Sequence, residues 1–332
     1  MAVMERGRLV LAQGYGFADL ETNTRATADS VFRIGSLTKQ FTAAAVLLLA
    51  EQGALSVDEP VSKYLPAFPA DDPTTIRQLL THTSGIADYV GRDGFVRETK
   101  LPHTTDELVS YVLAKSPLHD FPSGTQWAYS SSNYVLAGAI AERVSGMRLA
   151  AFLKARIFEP LGMFNTALDD ARDVVANRAS GYDRIAVETV GYANARQIDM
   201  SVPFAAGAMR STVRDLAVWS DAVTHGKVLK DASFRIMIEP ARLTDGTLPT
   251  RLRPDGSRGT IRYGMGVGVG DSGLAPVLAA DGAIDGFTSV MKAYAGTDVV
   301  LVALVNTSPS AHLPFAKIMA AVDVDPAVGP KK

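Results

Sequence analysis

The chain has 332 residues, a net charge of −2, 47% hydrophobic and 20% charged residues, and no cysteine. That length fits two domains, or one large domain carrying an insertion. The balanced charge, without a basic block, argues against nucleic acid or an anionic membrane as partner, and the lack of cysteine excludes disulfides, thiolate metal sites and cysteine nucleophiles.

In chain order, Met1-Ala2-Val3-Met4-Glu5-Arg6-Gly7 has no apolar region of the signal-peptide kind. The abrupt, hairpin-like start leaves room for a missing upstream segment. The compartment stays open, with a slight lean to the cytoplasm and the periplasm as the alternative. A strand pattern runs from Leu9 to Tyr15, a loop passes through Thr22-Asn23-Thr24, and a helix begins near Ser36 and ends at Gly53. Its apolar run, Ala43 to Ala50, is far short of the roughly 20 residues that span a bilayer and reads as a buried helix.

Residues 61–200 read as mostly helical. Thr75 caps Ile76 to Leu80, Thr105 with Asp106-Glu107 opens a stretch to Lys115, Tyr134 to Val144 stops at Gly146, and Pro160 breaks a helix over Leu149 to Phe158. Ser211-Thr212 then cap a helix from Val213 to Thr224, closed by Gly226. Strands follow at Tyr263 to Val269, Val277 to Ala280, Gly286 to Tyr294 and the continuous apolar run Val299 to Val305. Ala311 to Val322 reads as a terminal helix and Pro326 to Lys332 as a frayed tail. The expected architecture is a sheet domain from residues 1–60 plus 201–332, a mostly helical domain from 61–200, and an active site in the cleft between them.

Ser36-Leu37-Thr38-Lys39 places a hydroxyl at the start of the first helix and an amine one turn later. Residues three apart share a helix face, so Lys39 can reach the Ser36 oxygen. A serine hydroxyl needs an adjacent base to act as a nucleophile, and a desolvated lysine can have its pKa lowered enough to serve. Ser-x-x-Lys occurs about once by chance in a chain of this size. A second copy, Ser289-Val290-Met291-Lys292, lies in a strand pattern, where positions three apart face opposite ways.

Two further elements carry chemistry. Tyr129 lies between the loop Pro122-Ser123-Gly124-Thr125 and a helix start, where its phenol can relay protons to Ser36 if a nearby cation lowers its pKa. Ala280-Asp281-Gly282-Ala283 ends a strand, and a glycine-bearing strand edge can offer a backbone N–H to an oxyanion. Gly268-Val269-Gly270-Asp271-Ser272-Gly273 matches a dinucleotide fingerprint, but Pro276 and a strand follow instead of a helix. The five histidines, His82, His103, His119, His225 and His312, lack zinc-ligand spacing. No cofactor or metal is expected.

Phe32 to Ala43 resembles the nucleophile motif of the serine β-lactamase and penicillin-binding superfamily. Leu79 to Gly85, Tyr129 to Gly138, Ala206 to Thr212 and Gly286 to Ser289 resemble further signatures in the expected order, and the resemblance covers residues 3–320. The nearest branch is that of class C β-lactamases, family VIII carboxylesterases and related DD-peptidases. The resemblance implies an α/β (α+β) fold, an antiparallel sheet flanked by helices with a mostly helical insertion. It implies that Ser36 is acylated, that Lys39 and Tyr129 remove its proton, that the N–H groups of Ser36 and Ala283 form the oxyanion hole, and that His82 is structural.

Two positions depart from the pattern. Ser131 stands where the tyrosine motif usually ends in asparagine, and Ala280 where the third motif usually begins with lysine, histidine or tryptophan. With Ser131, Ala280, Asp281 and Gly282 as substrate-binding positions, the cation that would hold a substrate carboxylate is missing, and Asp281 would repel one. Loss of a charge-assisted contact costs about 1.5–3 kcal/mol. Neutral esters lose nothing by the change. The expected activity is therefore ester hydrolysis through an acyl-enzyme on Ser36. A β-lactamase or D-amino-acid peptidase of the same fold, acting on amides, and a non-catalytic binding protein remain as alternatives. The partner is a small ester or amide, and the sequence leaves the oligomeric state open.

Overall fold

The computed structural model describes residues 1–91, 99–185, 191–252, 256–271, 276–294 and 298–308. The expected terminal helix from Ala311, the tail from Pro326, and Ser272-Gly273 of the glycine-rich stretch lie outside the described residues.

Six strands form the main sheet: Ala2–Glu5 (β1), Arg8–Ala12 (β2), Gly268–Asp271 (β3), Pro276–Ile284 (β4), Phe287–Tyr294 (β5) and Val299–Val305 (β6). Their order is β3-β4-β5-β6-β1-β2, with every neighbouring pair antiparallel. The fold is mixed α/β with an antiparallel sheet drawn from both ends of the chain, as expected. β6 is buried over Val299–Leu304, which is why it reads as an unbroken apolar run. β5 alternates instead, with Phe287, Ser289, Met291 and Ala293 buried.

Three helices frame the site: Thr38–Glu51 (α1), Ser131–Ser145 (α2) and Val213–Thr224 (α3). α1 is buried almost all round, Lys39, Gln40 and Thr42 included, as befits a helix at the centre of the molecule. α3 packs on the sheet, against β1, β2, β5 and β6, and reaches α1 through Trp219. The Trp219 ring lies 4.1 Å from that of Phe41, and its Nε1–H donates to Gln40 Oε1 at 2.6 Å. α2 packs against α1.

Local signals hold where a cap defines the element. Thr75 closes a capping box with Gln78, Thr212 accepts from the Asp215 N–H, and Gly146 ends α2 in the left-handed region. The helix at Thr105–Leu113 is capped by Thr104, because Glu107 stands three residues after Thr104 and completes the box. Other boundaries move. The expected strand from Tyr263 is a single bridge followed by a turn, in which the Gly264 N–H donates to Val267 O, and β3 starts only at Gly268. Pro160 does not end its helix. It occupies the first turn of Glu159–Leu161, where its missing N–H is not needed. The strands Tyr182–Ile185 and Gly191–Asn194 and the helix Asp231–Ile238 are additional to the expected elements.

Candidate active site

The strand Phe32–Arg33 delivers the chain to Ser36, pairing with Met209–Ser211. Gly35 then takes φ +52° and opens a 3-10 turn, Gly35–Leu37, that runs into α1. A Cβ at Gly35 would lie 2.8–2.9 Å from the backbone of Ala283, so only glycine permits this approach. The turn is fastened on three sides. Thr38 Oγ1 donates to Gly35 O at 2.7 Å, the Ile34 N–H donates to Met209 O at 2.9 Å, and Ser289 Oγ donates to Ile34 O at 2.7 Å. Ser289 of the second Ser-x-x-Lys therefore buttresses the first. Lys292 lies on the other face of β5, as strand geometry demands.

Ser36 Oγ sits between two partners. Lys39 Nζ is 3.1 Å away and Tyr129 OH 2.8 Å away. Lys39 is 1% exposed; its ammonium donates to Ala206 O at 2.7 Å and lies 4.8 and 5.6 Å from the ring centroids of Tyr129 and Tyr134. Burial lowers its pKa to about 7, against an opposing pull from the Asp88 carboxylate. At neutral pH a large fraction of this amine is free to accept a proton.

Tyr129 is held by its neighbours in sequence and space. The Ala128 N–H donates to His82 O, the Ser130 N–H donates to His82 Nδ1, and the His82 ring stacks on the phenol at 4.4 Å. His82 Nδ1 also faces Asn133 Nδ2 at 3.2 Å. Two N–H groups aimed at Nδ1 leave the ring proton on Nε2. His82 is fully buried, and burial with Lys39 nearby pushes its pKa well below the usual histidine range. It touches Tyr129 and not Ser36. The Tyr129 phenol is pushed upward, first by desolvation and then by the Asp281 and Asp88 carboxylates. The cation expected to lower it is missing in effect, because Lys39 is itself shifted toward neutrality.

The third element lies on β4. A Cβ at Gly282 would fall 2.1 Å from Ile34 O and 2.9 Å from Ser36 N, which puts this strand directly against the nucleophile turn. Ala283 follows, with its backbone beside Gly35. Ala280 pairs with Met291 and packs half-buried against the apolar core, while Asp281 is exposed. Ser131 opens α2 with its N–H donating to Asp88 Oδ1 at 3.1 Å. Lys39, Tyr129, Gly282 and Ala283 thus meet at the Ser36 turn, Asp281 is next to Gly282 on β4, Ser131 follows two residues after Tyr129, and Ala280 turns to the core. Sequence reasoning missed Asp88 and the Ala206 carbonyl. Ala206 lies in the noted segment Ala206 to Thr212, but a backbone acceptor has no sequence signature, and Asp88 is joined to Ser131 only by the fold.

The sequence model of the family described as Beta-lactamase matches residues 1–325. The chain belongs to the β-lactamase family. Its relatives within the β-lactamase and penicillin-binding superfamily include penicillin-binding protein 4* of Bacillus subtilis, 28% identical over 96% of this chain and 70% of that protein. A match at 29% identity to the longer Staphylococcus aureus protein flp takes in 54% of this chain and 36% of that protein. Among solved structures, an octameric penicillin-binding protein homologue from Pyrococcus abyssi superposes with a TM-score of 0.78 at 26% identity, over 92% of this chain and 69% of that one. The D-amino acid amidase of Ochrobactrum anthropi SV3 gives 0.72 at 27% identity, over 92% and 85%. The hydrolase fold of this β-lactamase family member is therefore established. Among the described residues no helix is long and apolar enough to cross a membrane.

Proposed function

We propose that this β-lactamase family member is a serine hydrolase that cleaves carboxylic esters through an acyl-enzyme on Ser36, in the manner of family VIII carboxylesterases. The observation that carries the proposal is the placement of one oxygen, Ser36 Oγ, within hydrogen-bond reach of both a near-neutral lysine and a protonated tyrosine. On a division into residues 1–60 plus 201–332 and residues 61–200, the first part supplies Ser36 and Lys39 and the second Tyr129, and their hydrogen-bond contact supports a site in the cleft between two such lobes.

Lys39 takes the Ser36 proton as Oγ attacks the carbonyl. The N–H groups of Ser36, in the turn, and of Ala283, on the adjoining β4, receive the oxyanion, and both are in place before substrate arrives. As the intermediate collapses, Tyr129 gives its proton to the departing alkoxide and is recharged from the Lys39 ammonium. Water then repeats the sequence on the acyl-enzyme, restoring the Ser36 hydroxyl. His82 fixes the Tyr129 ring without exchanging a proton. The half-buried Ala280 and the exposed Asp281 supply no grip for a carboxylate, which favours neutral esters over β-lactams and peptidoglycan stems. A second reading, hydrolysis of amino-acid amides, is supported by the likeness to the D-amino acid amidase.

Turnover of p-nitrophenyl butyrate, a chromogenic cephalosporin and D-phenylalanine amide by wild type and Ser36→Ala tests both. Ester hydrolysis should dominate and fall about a thousandfold or more in the variant. A faster cephalosporin would overturn the esterase reading, and a faster amide would replace it with the second. Failure of a fluorophosphonate to label Ser36 would overturn both.

A further inference from the structure

Two carboxylates from different elements lie within electrostatic reach of Tyr129, the hydrogen-bond partner of Ser36. Asp281 is exposed on β4, between the core-packed Ala280 and Gly282, where an added Cβ would fall 2.9 Å from Ser36 N. Asp88 is half-buried and accepts from the N–H groups of Ser131 and Val90 at 3.1 and 3.2 Å, at the start of the helix that follows Tyr129. Both act on the Tyr129 phenol, and Asp88 also acts on Lys39. The cation of the site, Lys39, is buried with its amine turned to Ser36 and Ala206, and burial removes much of its charge at neutral pH. Position 280, one residue from Asp281, carries a methyl group packed on the core. A carbonyl compound that reaches Ser36 therefore enters a negative field with an exposed carboxylate at its edge.

We propose that the site selects substrates bearing a protonated amine close to the scissile carbonyl, such as esters or amides of amino acids with a free ammonium, and that Asp281 receives that ammonium. The selection rests on the serine-hydrolase reading above but goes further, since a site merely lacking a carboxylate grip would treat neutral and cationic substrates alike. Asp281 is solvated, so the pair it forms is of the modest, screened kind, worth about five-fold in specificity at low salt. Raising the ionic strength should shrink the preference.

The test compares three methyl esters of one skeleton: phenylalanine methyl ester, methyl 3-phenylpropanoate, and the monomethyl ester of benzylmalonic acid. At about pH 6.5, where the α-amine of the amino ester is mostly protonated, these carry an ammonium, no charge and a carboxylate beside the scissile group. Each kcat/KM is divided by the hydroxide-catalysed rate of the same ester, to remove the inductive effect of the substituent. The expected order is ammonium, then neutral, then carboxylate. The ammonium-to-neutral ratio should fall several-fold in Asp281→Asn, persist in Asp281→Glu, and invert toward the carboxylate ester in Asp281→Lys. Equal normalised rates for the three esters, or a ratio unchanged in both Asp281→Asn and Asp281→Lys, would overturn the proposal. Ser36-dependent turnover of the neutral ester without an ammonium preference would do so while leaving the hydrolase reading intact. Absence of turnover of all three esters would remove both.

Discussion

Lys39 is the residue on which the chemistry turns. A lysine normally titrates near 10.5 and is useless as a base at neutral pH; here, burial between Tyr129, Tyr134 and Ala206 brings it to about 7. Below that value the amine is protonated and cannot take the Ser36 proton, so activity is lost as pH falls and gained as it rises. The pH profile of kcat/KM should show an acid limb with a midpoint near 7. A limb near 4, the signature of a carboxylate base, would refute the role of Lys39. Because the Tyr129 phenol is shifted upward from its usual 10.0, the alkaline limb should lie above that value. The serine and lysine were legible as residues of the right type at the right spacing, and the tyrosine through the family resemblance. Their electrostatics were not, because desolvation depends on neighbours up to 167 positions away in the chain.

At the scale of elements, the nucleophile turn is a part clamped by a sheet. β4 presses Gly282 against Ile34 and Ser36, and β5 hangs Ser289 on the Ile34 carbonyl. Gly282→Ala would insert a methyl group where only 2.1 Å separates it from Ile34 O, forcing β4 away from the turn. Displacement of about 1 Å between oxyanion donors and nucleophile costs about a hundredfold in rate. The expected outcome is a loss of that order in kcat with far-UV circular dichroism unchanged; near-normal kcat would show that the strand does not position the oxyanion. Capped helices were readable because a cap is a local hydrogen bond between residues two or three apart, as at Thr75 and Thr212. The strand expected from Tyr263 failed because alternation of apolar residues cannot register a turn closed by one backbone bond.

Across the whole molecule, the buried amine burdens stability. Its folded pKa of about 7 lies below the 10.5 of an exposed lysine, so between those values the unfolded chain binds more protons than the folded one. Stability contributed by this group therefore rises as pH climbs through 7 toward 10.5, and below 7 the full penalty applies. Lys39→Met removes the titrating group while keeping the volume. Urea denaturation of both proteins should show the stability difference shifting toward wild type between pH 6 and pH 9. A difference independent of pH would mean that Lys39 is not desolvated. The core around α1, with Phe41 against Trp219, is what holds the amine in this environment.

The sequence alone determined the hydroxyl–amine pair on one helical turn, the capped helices, the buried strand Val299–Val305 and a sheet assembled from both chain ends. Each of these is written in periodicity or in contacts a few residues long. Only the tertiary structure decided that Tyr129 meets Ser36 across 93 positions, that Asp88 and Asp281 share its surroundings, and that Ser289 serves the motif it mimics. Those facts depend on burial and on which backbone lies against which, quantities that come into being only when distant segments pack.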